Sequence, residues 1–577
     1  MTYEVIHPGD PNWCSPVEAA HVVDDAGEIA WDAAADFVIV GYGAAGASAA
    51  VEAREHGLEV LVIDRNAGGG ATAMSGGVLY AGGGTRIQRE AGVEDSPRNM
   101  FDYLKLEVQG CVSDETLRAF CEQSAPTVDW LMAHGVEFRA TLYDKKTSYP
   151  WIDYFLYHPD NSLVPGYARI AKPAARGHRG AGRVTREQMM SATNLGGSIV
   201  WPLQDWAREQ GVRFMPFNEA RQLVVDRKGR VLGVRVLELP AGADRDEFNA
   251  RMERGKRLQL MWPPILPGSR FFMKRALRHF KHAAEIEATR RVSRFIRARR
   301  GVCLSAGGFV FNRRMMKHYA PKYLPGYPLG TSGDDGSGIR LGQSAGGAAD
   351  RMDRVTAWRF INPPLAWAKG IAVNQRGERF CNEMVYGATL GIEIGDHQDG
   401  KAWLILDQKL VRQAWDDIKP GKTLPFQRDL GRLNMLLGRK KARTLAGLAK
   451  KIGVDAAQLT AAVEEYARAA RGEVTDPHGK SQEDCAVLDT GPFMAIDIGI
   501  GAKLFPCPTL TLGGLAVNEQ TGNVKRADGS DIEGLYAAGR TAVGVSSNLY
   551  VSGLSIADGI FCGRRAGRSV ARAADPG

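Results

Sequence analysis

The stretch Asp36-Phe-Val-Ile-Val-Gly41-Tyr-Gly43-Ala-Ala-Gly46 limits what this chain can fold into more than any other. A β-branched run that ends on glycine reads as a buried strand entering a tight turn. Ala44 to His56 then reads as a helix and Leu58 to Asp64 as a second strand, which completes a βαβ unit. Each glycine has its own reason. Gly41 makes the turn, Gly43 lets backbone approach a pyrophosphate, and Gly46 lets helix and strand pack closely. The helix start at Ala45 offers free N–H groups to an anion, and Asp64, followed by Arg65, can accept hydrogen bonds from a ribose. A second small-residue loop, Gly68-Gly-Gly-Ala-Thr72-Ala-Met-Ser75-Gly76-Gly77, favours FAD over NAD, because backbone there can lie against a flavin's phosphate-sugar chain and ring.

With 577 residues, 44% of them hydrophobic, the chain can form at least two sizeable cores. Its eight cysteines are scattered, with no C-x-x-C and no metal-like spacing to histidine, so they read as reduced thiols and no metal is expected. The first 25 residues lack a basic-then-apolar signal pattern, and no apolar run is long enough to span a bilayer. A cytoplasmic location is the expectation. The net charge of +9 is local: 11 Lys/Arg against two Glu between Arg270 and Arg300 equal the whole excess, so nucleic acid is not an expected partner.

Between about 87 and 210 the pattern is mostly helical, and residues 214 to 238 read as strand, turn and strand. Strand-like text stops at Glu238 and resumes at Gly301, so 239–300 reads as an insertion. In it, Met261-Trp-Pro-Pro-Ile-Leu266 and Phe271-Phe-Met273 offer apolar anchors. Leu277, Phe280, Ala284, Ala288, Val292 and Phe295 follow at helical spacing, with Arg290, Arg291, Arg294 and Arg297 on another face. That predicts an amphipathic cationic helix for an anionic membrane surface, with packing on the protein itself or on a second subunit as the competing reading. Further helical runs fall around 435–471 and from about Ser555 to Ala573.

The glycine motif, the GGGATAMSGG loop, Ser305-Ala-Gly307-Gly-Phe309 and Gly534-Leu-Tyr-Ala-Ala-Gly539 stand in the order found in the fumarate reductase / 3-ketosteroid dehydrogenase superfamily of flavoproteins, which the chain resembles. The resemblance implies an α/β fold: a discontinuous Rossmann-type FAD-binding domain, 1–311 with 490–577, and an inserted α+β substrate-capping domain, 312–489. It also implies that Gly307, Gly539 and the start of the last helix at Ser555 and Ile556 lie against the flavin.

Fumarate reductases of the superfamily carry an arginine shortly before the last helix. Here Ser546-Ser-Asn-Leu-Tyr550-Val-Ser552-Gly553 has no cation, so a dicarboxylate would find no counter-charge and a neutral ketone fits better. Tyr550 with Ser552, and Tyr386 in Arg379-Phe-Cys-Asn-Glu383-Met-Val-Tyr386, are similar to motifs of 3-ketosteroid 4-dehydrogenases. The resemblance makes these three the candidate catalytic hydroxyls, without saying which takes the proton. It implies desaturation of ring A of a steroid, with an external electron acceptor. The alternatives are a 1-dehydrogenase, a fumarate-reductase-like ene-reductase, or a non-catalytic flavin-containing membrane protein. Arg379 and Glu383 read also as a structural ion pair, and His178 and His397 as structural.

Overall fold

The βαβ unit is present: β1 (Ala33–Val40), α1 (Ala44–Glu55) and β2 (Val60–Asp64), the strands parallel with Phe37 opposite Val60 and Val40 opposite Ile63. The computed structural model describes residues 3–261 and 269–573. β3 (Arg213–Pro216) extends the parallel set beyond β2. β4 (Asn218–Asp226) and β5 (Val231–Glu238) form the expected ribbon. A helical hairpin follows, α2 (Ala243–Met261) and α3 (Ser269–Thr289), and then β6 (Val292–Leu304).

β6 joins the two halves of the sheet. Its first half pairs antiparallel with β5, and it runs parallel to β1 from Ile296 opposite Ala33 to Leu304 opposite Val40. Its last residues also pair in parallel with β7 (Asp531–Ala537), Val302 opposite Leu535. The C-terminal part of the chain thereby returns to the first sheet. The order is His21–Val23, β4, β5, β6, β1, β2, β3, with β7 also on β6.

α4 (Leu554–Arg572) closes the chain and packs on α1 through small residues. Gly559, Gly563 and Gly567 stand four apart, on one face. A Cβ on Gly563 would lie 2.2 Å from the Ala45 carbonyl oxygen, and one on Gly567 would lie 2.9 Å from that of Ala49. α1 is alanine-rich and buried from Ala44 to Ala53, so the two backbones approach closely.

Several expectations are corrected. The cationic helix ends at Thr289, and Val292 and Phe295 belong to β6, where β-branched residues at alternate positions gain a place in the sheet. Three arginines there are paired: Arg291 with Glu219 and Glu287, Arg294 with Asp32 and Glu238, and Arg299 with Asp36. The buried face of α3 is Ala276, Ala283 and Ile286, with Phe280 partly covered, while Leu277, Ala284 and Ala288 are exposed. The run Trp262 to Leu266 lies outside the described residues. Phe493–Asp497, assigned by sequence to the nucleotide part, pairs with Trp403–Leu406 and Arg439–Ala442 in a separate four-stranded sheet. Arg439–Ala442 also interrupts the helical run expected at 435–471. Among the described residues, no helix is long and apolar enough to cross a membrane.

The loop that ends in Tyr386 is pinned by buried charge. Glu383 is 2.9 Å from both Arg379 and Lys480, and Arg379 also pairs with Asp476. Despite burial, the two cations hold the Glu383 carboxyl down at about 2. The structural reading of the Arg379–Glu383 pair therefore holds.

Gly563→Ala should cost ~1–3 kcal/mol by overpacking, lowering the thermal midpoint and the flavin content of the purified protein together. Glu383→Gln should destabilise by roughly 3–5 kcal/mol, because it leaves buried cations uncompensated. Since folding depresses this carboxyl, its contribution is complete above about 4.5 and is lost as pH falls toward about 2. Unfolding of both proteins across that range should show the gap narrowing with acid.

Candidate active site

The parallel strands deliver their C-terminal ends to one cavity of about 1340 Å³. Its wall takes Val40 and Gly41 after β1, Asp64 and Arg65 after β2, Ser305 to Gly307 after β6, and Gly539 after β7. The first turns of α1 and α4 reach the same wall through Ala45 and through Ser555 and Ile556. Both helices begin on a glycine, Gly43 and Gly553, that offers no side-chain cap, and their positive dipole ends meet the cavity wall. Thr72 Oγ1 accepts from Ala44 N at 3.0 Å and ties the small-residue loop to α1.

This arrangement fits FAD. A Cβ on Gly43 would meet Thr72 Oγ1 at 3.4 Å and the Gly69 carbonyl oxygen at 3.9 Å, both ordinary contacts, so the approach to the α1 N-terminus is open. Asp64 is held by the N–H groups of Tyr42 and Asn66, both at 2.8 Å, with acceptor capacity left on each oxygen. Thr72, Ser75 and Gly76 line the cavity as expected. Gly46 and Gly77 do not. A Cβ on Gly46 would fall 2.0 Å from the Gly41 carbonyl oxygen, which is the close helix–strand packing predicted for it. Gly77, at φ +67°, backs onto the Leu195 carbonyl, so its role is the turn. Four buried polar atoms of cavity-wall residues have no hydrogen-bond partner within the protein: Asn218 Oδ1, Arg540 Nη1, Trp358 Nε1 and Trp367 Nε1.

Near the start of α4 the wall becomes aromatic and hydroxylic. Tyr550, Ser552 and Tyr386 all border the cavity. Tyr386 and Tyr550 share a small apolar cluster with Leu510, Leu512, Trp358 and Phe360. The Trp358 ring lies 5.1 Å from Tyr550 and 6.3 Å from Phe360, and Phe360 lies 5.8 Å from Tyr386. Asn161 positions Tyr386: its Oδ1 accepts from Tyr386 N at 2.6 Å while its Nδ2 donates to buried Glu107 at 3.0 Å. Gly553, at φ +86°, makes the turn into α4, and a Cβ there would strike Tyr80 N at 2.6 Å.

Burial raises every phenol here. Tyr550 is pushed up to about 12, opposed by the Arg540 charge and the backbone N–H groups of Gly553 and Ser555. Tyr386 goes well above its ordinary value, with neighbouring Tyr157 and Tyr550 adding to burial and the Ser552 hydroxyl opposing. Ser552 also draws down Tyr157, whose buried hydroxyl has no hydrogen-bond partner. The cations on the wall are matched by carboxylates: Arg65 with Glu287 and Asp335, Arg540 with Asp334, and Arg183 with Asp205. Among the described residues of the cavity wall, each cation is thus paired with a carboxylate.

Sequence reasoning assigned no role to Tyr149, Tyr157, Trp358, Phe360, Asn161 or Asn218, although the first two fall in one aromatic stretch, Tyr149-Pro-Trp-Ile-Asp-Tyr-Phe-Leu-Tyr157. That stretch was the one available signal, because Trp358 and Phe360 sit in no recognisable motif. His178 is structural: buried, held by Thr85 and the Arg176 carbonyl, and lowered to about 4 by burial. His397 is exposed and off the cavity wall.

The FAD binding domain family model matches residues 36–555. A 3-oxo-5-alpha-steroid 4-dehydrogenase of Comamonas testosteroni is 41% identical over 91% of this chain and 96% of its own. A 3-oxosteroid 1-dehydrogenase of Mycobacterium tuberculosis is 28% identical over 89% and 94%. Among solved structures, a 3-ketosteroid-delta4-(5alpha)-dehydrogenase from Rhodococcus jostii RHA1, in complex with 4-androstene-3,17-dione, matches 96% of this chain and 100% of its own with a TM-score of 0.78 at 29% identity. With its mixed α/β flavoprotein fold, the chain belongs to the FAD binding domain family and, within it, to the FAD-dependent 3-ketosteroid dehydrogenases.

Proposed function

We propose that the protein desaturates ring A of a 3-ketosteroid between C4 and C5, removing a proton from the α-carbon and a hydride from the β-carbon. The observation that carries this is the aromatic-walled end of the cavity, where hydroxyls and backbone N–H groups meet and the wall cations Arg65, Arg183 and Arg540 are each paired with a carboxylate. The names of the relatives favour the 4,5 bond over the 1,2 bond. In the same reading β1–β3, β6 and β7 form a Rossmann-type FAD-binding domain made from both ends of the chain. The region from about 312, extended through Phe493–Asp497, is the substrate-capping domain.

Bound FAD supplies the hydride acceptor, and an external electron acceptor restores it. The residues do the proton and charge work. Tyr550 stands at the start of α4, where backbone N–H groups and the helix dipole favour negative charge. It polarises the ketone and stabilises the oxygen as charge builds there. Tyr386, Ser552 and Tyr157 form a row of neighbouring hydroxyls, which suits them to take the α-proton and pass it on. A phenol this far above neutrality works as a base only with such a relay. Trp358 and Phe360 give the steroid flat apolar contact and exclude water.

A second reading concerns location. Phe271 and Leu277 are exposed by 63% and 56% on the outer face of α3, among exposed Lys274, Arg275, Arg278 and Lys281. Apolar groups set among cations suit peripheral contact with an anionic membrane, from which an apolar substrate can be drawn.

Anaerobic mixing with a ring-A-saturated 3-ketosteroid should bleach the flavin, and a 4-en-3-one should not. Bleaching by the 4-en-3-one instead would assign the 1,2 bond, and rapid reoxidation of reduced flavin by fumarate would overturn the steroid reading. Tyr550→Phe should lower kcat roughly 10²–10³-fold with flavin content unchanged. For the membrane reading, wild-type protein should pellet with phosphatidylserine-rich vesicles and a Phe271→Ser/Leu277→Ser variant should stay in solution; equal pelleting refutes it.

A further inference from the structure

The α2–α3 hairpin follows the β4–β5 ribbon, and its inner face borders the cofactor cavity. Phe248, Asn249, Met252 and Glu253 fall at helix positions i, i+1, i+4 and i+5, so they share one face of α2, and all four are on the cavity wall. They stand with Phe217 to Ala220, at the start of β4, and with Asp64 and Arg65. The acidic residue that ends β2 marks the ribose end of a dinucleotide site. The hairpin therefore meets the cavity at its adenosine end, away from the hydroxyls that face the substrate.

We propose that this hairpin is a clasp over the adenosine half of FAD, with Phe248 and Met252 as its apolar wall and Asn218 as a hydrogen-bond acceptor for the adenine amino group or a ribose hydroxyl. The proposal rests on FAD being the cofactor. Two fastenings hold the hairpin down. One is a small separate core of Leu239, Phe248, Ala283 and Ile286, against which Phe217 and Met252 pack. The Phe217 and Phe248 rings meet edge-on at 6.1 Å, and the Arg245 guanidinium lies 4.9 Å over Phe217. Phe217 takes a left-handed backbone, φ +61°, a conformation that persists only where its surroundings determine it.

The second fastening is a knot of charge. Arg65 donates to both oxygens of Glu287 on α3, at 3.1 and 3.2 Å, and to Asp335 at 3.0 Å. Arg291, just beyond α3, pairs with the same Glu287 and with Glu219 of β4. The cavity-wall residue that follows the ribose carboxylate is thus bound to the hairpin itself. An independent observation points to a ligand. Asn218 is only 2% exposed and spends its Nδ2 on the Pro216 carbonyl at 3.0 Å, while its Oδ1 has no partner. A buried acceptor left open on the wall of a cofactor cavity is matched by a donor on the ligand.

The test compares cofactor affinity in wild-type protein and in Phe248→Ala, Glu287→Gln and Asn218→Ala variants, each freed of flavin and titrated with FAD, FMN and ADP. Flavin fluorescence reports FAD and FMN, and displacement of FAD reports ADP. The clasp predicts that FAD and ADP each bind about tenfold more weakly in the variants, about 1.4 kcal/mol, while FMN affinity is unchanged. Unchanged FAD affinity in all three would overturn it, as would equal losses for FMN and FAD. The melting temperature of the flavin-free proteins identifies any variant that fails to fold, and the other two then decide. Wild-type protein that binds no FAD would instead sink the cofactor assignment.

Discussion

The site depends on one contact, the seam of small residues between α1 and α4. Gly559, Gly563 and Gly567 let the last helix of the chain lie directly on Ala45 and Ala49 of the first. Because both helices then start at the same cavity, two positive dipole ends converge there. One suits a pyrophosphate, and the other suits the charge that grows on a ketone oxygen. A side chain in the seam would push the helices apart and misplace both ends together.

Around that pair of helix starts, the substrate end is built without free charge. Burial keeps Tyr386, Tyr550 and Tyr157 protonated well above neutrality, so they add hydroxyls and no charge. Charge is kept nearby but spent on structure. Glu383, Arg379, Lys480 and Asp476 neutralise one another under the loop that carries Tyr386, and Asn161 fixes the backbone of Tyr386 itself. Positioning from a paired, buried cluster leaves the pocket neutral for an uncharged ketone.

The basic stretch shows how composition misleads when partners are hidden. Eleven cations between Arg270 and Arg300 read as a free charged face. In the folded chain Arg291, Arg294 and Arg299 are held by Glu219, Asp32 and Asp36, which come from distant strands and loops. The exposed cations are the smaller set on the outer side of α3, while its inner side packs on α2 over the nucleotide site. Periodicity also chose the wrong stripe on α3, because alanines at 276 and 283 pack as well as the bulkier Leu277 would.

What the sequence determined by itself was local and chemical. Gly41, Gly43 and Gly46 dictate a strand, a turn and a helix start, since backbone conformation and close approach are short-range matters. A stretch before the last helix with hydroxyls and no cation already favoured a neutral ligand over a dicarboxylate. The tertiary structure alone decided which hydroxyls meet and what surrounds them. Tyr157, Trp358, Phe360 and Asn218 arrive from separate parts of the chain, and no spacing in sequence records a contact made only by folding. The same holds for β6, whose partners β5, β1 and β7 determine that residues 292–297 are strand: pairing across a sheet outweighs the weak local preference for a helix.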